Sequence, residues 1–555
     1  MSRSDFSAWS LILLSAALGT IATVLFQDSE ASPRTVLSSP AAAPEATPAN
    51  KVEEFIEPQR VMDAGTEWPQ WGGTRMRNNV PNVRNLPESW DIGKFDRRSG
   101  EWDGERAENL RWFSPLGSQT YGNPVVAGGK AYVGTNNGAG YLKRYPAKVD
   151  LGCLLAFDAT NGDFLWQHSS EKLSSGRVHD WPLQGICCAP LVEGDRLWFV
   201  TSRGEVRCLD TEGFYDNEDD GPVQDESARV MEITRDADET AFKAIIASLD
   251  SGSLSNAITE MLAAAGEPLE GEVTVNTLEA GTAWDVEGHF GGTARTLSVQ
   301  QLGSSVSFFK TISVEDKDEA DTIWTFDMME ELGVSQHNMC SCSVTSYGDL
   351  LFVHTSNGLD ESHIHLPSPD APSFICMNKN TGEVLWTDKS PGANILHGQW
   401  SSPTVAVFGG VAQALFCGGD GWLYSFQADA GENGKAKLLW KFDCNPKESE
   451  WVLGGEGTRN NLIATPVAYD GLVYVAVGQD PEHGEGQGHL WCIDPSKRGD
   501  VSPQLAVRVT EDGKTVAVEP KRVQAVDPDN GEAAIDNPNS GVVWHYSRFD
   551  QNGDG

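Results

Sequence analysis

The chain has 555 residues, ten cysteines and a net charge of −39 at pH 7. This excess of acidic side chains argues against nucleic acid and anionic lipid head groups as partners, because both would be repelled by a negative surface. The length allows roughly two to four ordinary domains, or one large domain if the chain is built from repeats.

The N-terminal region contains an uncharged apolar run from Trp9 to Phe26. It is long enough to cross a bilayer and also fits the core of a signal peptide. We therefore expect residues 1–27 to be a membrane anchor or signal peptide. The rest of the chain is then exported, either held at the periplasmic side of the cell membrane by a single pass or released into the periplasm after cleavage. Residues 28–66 are rich in Pro, Ala and Ser, which predicts a disordered tether.

One pattern recurs further along the chain. Residues 154–166 read LLAFDATNGDFLW, and residues 374–386 repeat the pattern without a gap as FICMNKNTGEVLW. In both copies a glycine, Gly162 or Gly382, lies between two apolar, β-rich runs, where its tolerance of positive φ suits a tight turn. Each copy is therefore predicted to be a β-hairpin that ends on a tryptophan.

Stretched or interrupted copies of this hairpin begin at Val206, Leu423 and Leu490, and a second hairpin with a glycine turn precedes every copy. Those glycines are 66, 154, 61 and 62 residues apart, so the period is near sixty with one long interval. Two hairpins per period make a four-stranded unit that buries its faces only against its neighbours. We predict an all-β fold, a β-propeller with five visible blades. The turn glycines are Gly128, Gly194, Gly348, Gly409 and Gly471.

The long interval predicts an insertion and sets the domain boundaries. Residues 67–228 should hold the start of the propeller with blades 1 and 2, residues 229–318 a small α+β insertion, and residues 319–555 the remainder of blade 2 with blades 3 to 5. Within the insertion, apolar residues at helical spacing over 254–265 predict a helix, and two further segments, 273–277 and 297–312, are predicted strands.

Three cysteines, Cys208, Cys376 and Cys492, occupy the blade position that Ala156 and Ser425 hold in the other copies. Equivalent positions in different blades are kept apart by the ring, so these thiols cannot easily reach one another. We predict that they are small packing residues and not members of a disulfide framework.

The motif Ala-x-Asp-x-x-(Thr/Asn)-Gly-x-x-x-Trp is complete between Ala156 and Trp166. It resembles the tryptophan-docking repeat of PQQ-like propellers, the group that includes BamB-type outer-membrane assembly proteins and quinoprotein dehydrogenases. Because rings of this type commonly have roughly seven or eight blades, the resemblance implies a C-terminally truncated sequence.

The resemblance implies two alternative functions. One is a non-catalytic binding or assembly scaffold in the cell envelope, with envelope proteins or a small ligand as partners. The other is a PQQ- and calcium-dependent dehydrogenase that oxidises alcohols or sugars. No set of calcium ligands and catalytic base can be matched residue by residue, which favours the scaffold.

Two sequence features bear on these cofactors. Some quinoprotein dehydrogenases pack a disulfide of adjacent cysteines against PQQ, and Cys187 and Cys188 are similar to that pair. They are the candidate cofactor-binding residues. Near the C-terminus, Asp550, Asn552 and Asp554 match the first half of a calcium loop, with a polar turn as the alternative.

Strand alternation places the loops between hairpins and between blades on one face of the ring, where we expect any ligand near the axis. On a predicted strand, His363 and His365 would point to the same side and form a candidate metal pair, and His483 with His489 is a second pair. Exposed loop histidines are the alternative, and loop-holding hydrogen bonds are the alternative for the polar candidates. The candidate residues of the ligand face are His337, Asn338, His397, Trp400, Arg459, Asn460 and Asn461.

Overall fold

The computed structural model describes residues 67–548 except 82, 84, 101, 143–144, 146, 217, 224–228, 233–268, 280–282, 291–292, 303–304, 311–316, 430–433, 453–456, 479–486, 511 and 519–520. The predicted anchor and tether lie outside this part of the chain. Among the described residues, no helix has the length and apolar character that a membrane span requires.

Five sheets, each with four antiparallel strands whose spatial order follows the chain, form the predicted five blades, and the sheet of blade 4 has a fifth, parallel strand. A short hairpin precedes them, β1 (Lys94–Phe95) and β2 (Trp102–Asp103). Blade 1 contains β3 (Val125–Ala127), β4 (Lys130–Asn136), β5 (Leu151–Asp158) and β6 (Phe164–Glu171). Blade 2 begins with β7 (Leu191–Glu193), β8 (Arg196–Val200) and β9 (Glu205–Asp210).

The insertion then follows, with β10 (Arg229–Glu232), β11 (Leu269–Glu279), β12 (Ala283–Phe290), β13 (Thr293–Leu302) and β14 (Ser305–Lys310). Blade 2 is completed by β15 (Thr322–Asp327), and the helix α1 (Met328–Leu332) follows it. Blade 3 contains β16 (Thr345–Tyr347), β17 (Leu350–His354), β18 (Phe374–Asn378) and β19 (Val384–Asp388). Blade 4 contains β20 (Thr404–Phe408), β21 (Val411–Cys417), β22 (Trp422–Gln427) and β23 (Leu438–Asp443).

Blade 5 begins with β24 (Val467–Tyr469), β25 (Leu472–Val477) and β26 (Gly488–Ile493). An excursion then adds β27 (Gly499–Asp500) in parallel to β23, and a three-stranded sheet of β28 (Gln504–Val509), β29 (Thr515–Ala517) and β30 (Glu532–Asp536). Blade 5 is completed by β31 (Val542–Arg548). Short 3₁₀ turns occupy several loops.

Every helix or strand described within the insertion is a strand. These strands form a five-stranded antiparallel sheet in the order β10-β14-β13-β12-β11. The predicted strand at 273–277 lies within β11, and the predicted strand from 297 onward corresponds to two strands, the end of β13 and β14. Strands β10 and β12 were not predicted from the sequence. The predicted helix at 254–265 lies outside the described residues.

A small residue lies opposite the tryptophan in the outer hairpin of every blade. Because an indole ring needs space on the blade face, alanine, cysteine or serine at this position lets the tryptophan pack closely. The three cysteines in this set are free thiols, which agrees with their predicted packing role. The pairs are Ala156 with Trp166, Cys208 with Trp324, Cys376 with Trp386, Ser425 with Trp440 and Cys492 with Trp544.

The outer-strand tryptophans of the first two blades dock on the following blade. Trp166 Nε1 donates a hydrogen bond to Thr211 O of blade 2 over 3.2 Å, and Trp324 Nε1 donates to Lys379 O of blade 3 over 3.1 Å. A Cβ atom added at Gly382 would lie 2.8 Å from the Trp324 ring. Glycine is therefore required at this turn both by its φ of +74° and by the indole ring beside it.

Residues 68–79, here called the central segment, connect the blades. The segment makes backbone hydrogen bonds with the first strand of four blades, which otherwise would leave their inner edges unpaired. These contacts join Trp68 to Val126, Pro69 to Val192, Arg75 to Val405 and Met76 to Ala468.

Arg77 extends the central segment to the beginning of blade 3. Its guanidinium donates to Ser343 O over 2.7 Å, to Val344 O over 2.9 Å and, near blade 4, to Pro403 O over 3.0 Å. The side chain is buried, and this burial lowers the pKa of Arg77 to about 9. A single cation thus bonds carbonyls of two blades, since Nε donates to Pro403 O while Nη2 donates to the other two, which the fork of an arginine allows.

Candidate functional site

Loops that precede the inner strands meet in a pocket on the face where a ligand was expected. The pocket has a volume of about 560 Å³. Neutral polar residues line it, among them Asn123, Gln184 and Asn338. The aromatic residues that line it are Trp71, Tyr121, Trp181 and Trp400.

Acidic and basic side chains are missing from this lining among the described residues. PQQ is a polycarboxylate, so its binding calls for cationic partners, and calcium binds carboxylate oxygens above all. The described lining offers neither. The pocket therefore does not fit the PQQ and calcium that the resemblance implies.

The two adjacent cysteines have different surroundings. Cys187 lines the pocket, where its Sγ lies 3.2 Å from Met339 Sδ, whereas Cys188 is buried with its Sγ 3.1 Å from Val200 O. Both are free thiols, and burial raises the pKa of each to about 12. Such thiols are unreactive near neutral pH. Cys187 is therefore part of the pocket wall, and Cys188 belongs to the core.

Arg459, Asn460 and Asn461, predicted on the ligand face, hold loops together. Asn460 N donates to Asn445 Oδ1 over 3.0 Å, and Asn445 Nδ2 donates back to Asn460 O over 2.8 Å. Asn461 Nδ2 donates to Gly398 O over 3.1 Å. All three candidates are buried, and none of them lines the pocket.

Two buried carboxyl groups lie close to Arg459. Arg459 Nη2 donates to Asp420 O, and Tyr424 Oη donates to Asp420 Oδ2 over 2.6 Å. Gln524 Nε2 donates to Asp443 Oδ2 over 3.1 Å. Burial raises the pKa of Asp420 to about 6 and that of Asp443 to about 7. These groups are linked to loop packing and make the stability of this region sensitive to pH.

Three histidines from three different loops converge beside the pocket. His337 lies between α1 and β16, His363 between β17 and β18, and His397 between β19 and β20. One ring nitrogen of each lies within 4.8 Å of the other two. Their ring centroids are 4.5 to 4.8 Å apart. The ring of Trp400, which lines the pocket, is centred 5.0 Å from that of His397.

Backbone hydrogen bonds fix these loops to one another. Leu359 N donates to His397 O over 2.9 Å, and His337 N donates to Ser356 O over 3.1 Å. Trp400 Nε1 donates to His337 O over 3.2 Å. The positions of the three rings are therefore set by loops that hold one another, and not by one flexible segment.

The structure corrects the predicted pairing of His363 with His365. Residues 359–372 contain no strand, and His363 lies in a turn with φ of +58°. His365 is exposed and is not part of the histidine cluster. The partners of His363 are instead His337 and His397, which the sequence placed on the same face without indicating contact.

Other predicted metal residues are only partly described. His489 lies in β26, where its Nδ1 is 3.0 Å from His545 Nε2, and burial lowers the pKa of His489 to about 4. Its predicted partner His483 lies outside the described residues. The same is true of the predicted calcium-loop residues, which are Asp550, Asn552 and Asp554.

Sequence reasoning did not identify Trp71 and Trp181 as pocket residues. Trp181 lies in one of the long loops before an inner strand. An aromatic side chain in such a loop is a feature from which a pocket residue could have been predicted. Trp71 belongs to the central segment, whose path between the blades no local pattern indicates.

No family model and no curated protein matches this chain. Among solved structures, it is similar to a quinohemoprotein alcohol dehydrogenase from Comamonas testosteroni, with 11% identity, a TM-score of 0.35, and coverage of 78% of this chain and 66% of that one. It is also similar to BamB from Moraxella catarrhalis, with 13% identity, a TM-score of 0.25, and coverage of 76% and 84% respectively.

A second quinohemoprotein alcohol dehydrogenase, ADHIIG from Pseudomonas putida HK5, shows 12% identity and a TM-score of 0.31 over 87% of this chain and 66% of its own. This chain thus spans just under two thirds of both dehydrogenases. At such scores the fold assignment rests on the sheets and tryptophan contacts described above. These define an all-β propeller whose blades are joined by docked tryptophans.

Proposed function

We propose that this protein is a non-catalytic binding scaffold of the cell envelope whose pocket binds neutral sugar units. The observation that carries the proposal is the lining of the pocket, with Trp71, Trp181 and Trp400 beside neutral amide and hydroxyl groups. A pyranose ring has an apolar face of C–H groups and a rim of hydroxyls. It is therefore complementary to flat aromatic surfaces combined with neutral donors and acceptors.

The N-terminal sequence supports a place in the envelope. The apolar run from Trp9 to Phe26 would anchor or export the chain, and the Pro-, Ala- and Ser-rich residues 28–66 would separate the propeller from the membrane. The strongly negative chain would be kept away from anionic lipid surfaces. Neutral sugar units occur both in envelope polysaccharides and on glycosylated envelope proteins, so both are possible sources of the ligand.

Isothermal titration calorimetry of the full chain against neutral oligosaccharides and matched glycopeptides tests this proposal. We expect saturable binding with a dissociation constant of about 1 μM to 1 mM, and a loss of at least about tenfold in Trp181→Ala. Trp90→Ala is the matched control, because Trp90 is 71% exposed and does not line the pocket. Glycopeptide binding without oligosaccharide binding would assign the ligand to proteins.

Titration with PQQ and calcium tests the alternative function, a dehydrogenase. Saturable binding of PQQ, followed by alcohol-dependent reduction of a dye, would overturn the scaffold and support a dehydrogenase. If oligosaccharides, glycopeptides and PQQ all fail to bind, the sugar-binding proposal is wrong.

A further inference from the structure

We infer that His337, His363 and His397 bind a divalent transition metal ion, and that Zn²⁺ is the ion that fits them best. This inference does not depend on what the pocket binds. Three imidazoles with one open position are the ligand set of many catalytic zinc sites, in which Zn–N distances are about 2.0 to 2.1 Å. A tetrahedral arrangement at that distance separates the ligand nitrogens by about 3.3 Å. From separations of up to 4.8 Å, the rings need to approach by about 1.5 Å, which side-chain rotation can supply.

The hydrogen bond of His337 supports a role as a metal ligand. Its Nδ1 lies 2.7 Å from Leu359 O, and because a carbonyl only accepts, Nδ1 must carry the hydrogen. Nε2 is then the nitrogen with the lone pair that a metal requires. Metal-binding histidines commonly donate their second N–H to a carbonyl or carboxylate in this way, which fixes both tautomer and ring orientation.

Gly358 allows the histidines to approach one another. A Cβ atom added there would lie 2.7 Å from His337 Cβ and 2.7 Å from His397 O. The next residue, Leu359, bonds to His397 through its N–H and to His337 through its carbonyl. The same short backbone stretch thus positions two of the three ligands. His363, which is only partly buried, gives the ion a path from solvent.

The chemistry of the ligands selects the class of ion. Imidazole nitrogen suits Zn²⁺, Cu²⁺ and Ni²⁺, whereas Ca²⁺ and Mg²⁺ require oxygen ligands. Three protein ligands leave room for water or for a group of a bound molecule at the fourth position. Trp400 links this site to the pocket, since its ring faces His397 and its Nε1 donates to His337 O.

The test is metal binding by the full-length protein after treatment with a chelator, measured by calorimetry with ZnSO₄ and by elemental analysis after dialysis. We expect one bound Zn²⁺ per chain, and a loss of affinity of at least about 100-fold in His363→Asn. Asparagine suits this variant because it tolerates the left-handed backbone at position 363. The matched control is His365→Asn, two residues away and outside the cluster, which should bind as tightly as the wild type.

Two further measurements separate a metal site from a merely structural cluster. Gly358→Ala keeps all three imidazoles but pushes His337 from His397, and it should weaken zinc binding by at least about tenfold. Co²⁺ bound to the wild type should give the intense visible absorption of a four-coordinate site. Less than a tenth of an equivalent of bound zinc in the wild type, an equal effect of His365→Asn and His363→Asn, or a six-coordinate cobalt spectrum would each overturn the inference.

Discussion

The outer-strand tryptophans of blades 3 and 5 have the same local register but different burial. Trp386 lies opposite Cys376, and Trp544 lies opposite Cys492. Trp386 is 1% exposed and packs against Phe416 and Phe426 of blade 4, whereas Trp544 is 41% exposed and contacts Tyr474 of its own blade. The hairpin geometry is therefore set within a blade, and the burial of its tryptophan is set by the next blade.

This difference indicates where the stability of the blade repeat originates. Trp166, Trp324 and Trp440 are also at least 95% buried, so docking is a property of blades 1 to 4. The turn of blade 1 also contacts an indole ring, since Trp112 Nε1 donates to Ala159 O over 3.0 Å. Contacts between neighbouring blades should then contribute most of the free energy of folding, as expected for an array of repeats.

We expect the largest difference in unfolding free energy between the alanine variants of Trp386 and Trp544. Trp386→Ala removes a fully buried indole and should lower the free energy of unfolding by about 3 to 5 kcal/mol. Trp544→Ala removes a side chain that is already in contact with water and should cost about 1 kcal/mol or less. Urea denaturation of both variants measures the difference. Equal losses would show that the docking contact contributes little beyond the hairpin itself.

The guanidinium of Arg77 also connects blades. Its removal tests whether tryptophan docking is the only connection between blades that contributes to stability. Arg77→Met would leave the carbonyls of Ser343, Val344 and Pro403 without a donor, at a cost of about 2 to 4 kcal/mol in unfolding free energy. Arg98→Met, at an exposed position, is the control and should change stability by less than about 0.5 kcal/mol. A loss no larger than that of the control would leave tryptophan docking as the main connection.

A third test concerns Asp443, which ends the strand that carries the last docked tryptophan. Its folded pKa of about 7 lies above the ordinary value of 3.8, so the folded state binds the proton more tightly than the unfolded state. Its contribution to stability is complete below pH 3.8 and is lost as the pH rises through about 7, by about 4 kcal/mol.

Asp443→Asn should therefore flatten the decline of the unfolding free energy between pH 4 and 8, as followed by urea denaturation across that range. Asp349→Asn, at an exposed turn, is the control and should change the unfolding free energy by less than about 0.5 kcal/mol. An unaltered slope in Asp443→Asn would mean that Asp443 is ionised in the folded protein.

The sequence predicted features that repeat and missed those that do not. The hairpins, five blades and small residues opposite tryptophan follow from a local pattern in which each hairpin specifies its own register. The contact of Arg77 with Ser343 joins residues that no period relates. His337, His363 and His397 were likewise assigned to one face, but their convergence depends on three irregular loops. The pairing of His363 with His365 failed because Asp360 forms a turn there, with its Oδ1 accepting from Ser362 N over 3.1 Å.

We expect the smallest difference in stability between alanine variants of two turn glycines. A docked tryptophan ring lies beside one of these glycines and not beside the other. Gly382 has φ of +74° and Gly410 has φ of +78°, so alanine is strained at both. An added Cβ at Gly410 meets nothing within 4 Å, whereas at Gly382 it would lie 2.8 Å from the Trp324 ring.

Gly382→Ala should therefore cost about 1 to 2 kcal/mol more than Gly410→Ala in unfolding free energy, because the rigid indole must shift from its contact with blade 3. The shared backbone strain cancels in this difference, so urea denaturation of the pair isolates the docking contact. If both variants lose the same free energy of unfolding, Gly382 is required only for its positive φ. The burial of Trp324 then contributes through its other neighbours, such as the Lys379 carbonyl that accepts its Nε1 hydrogen.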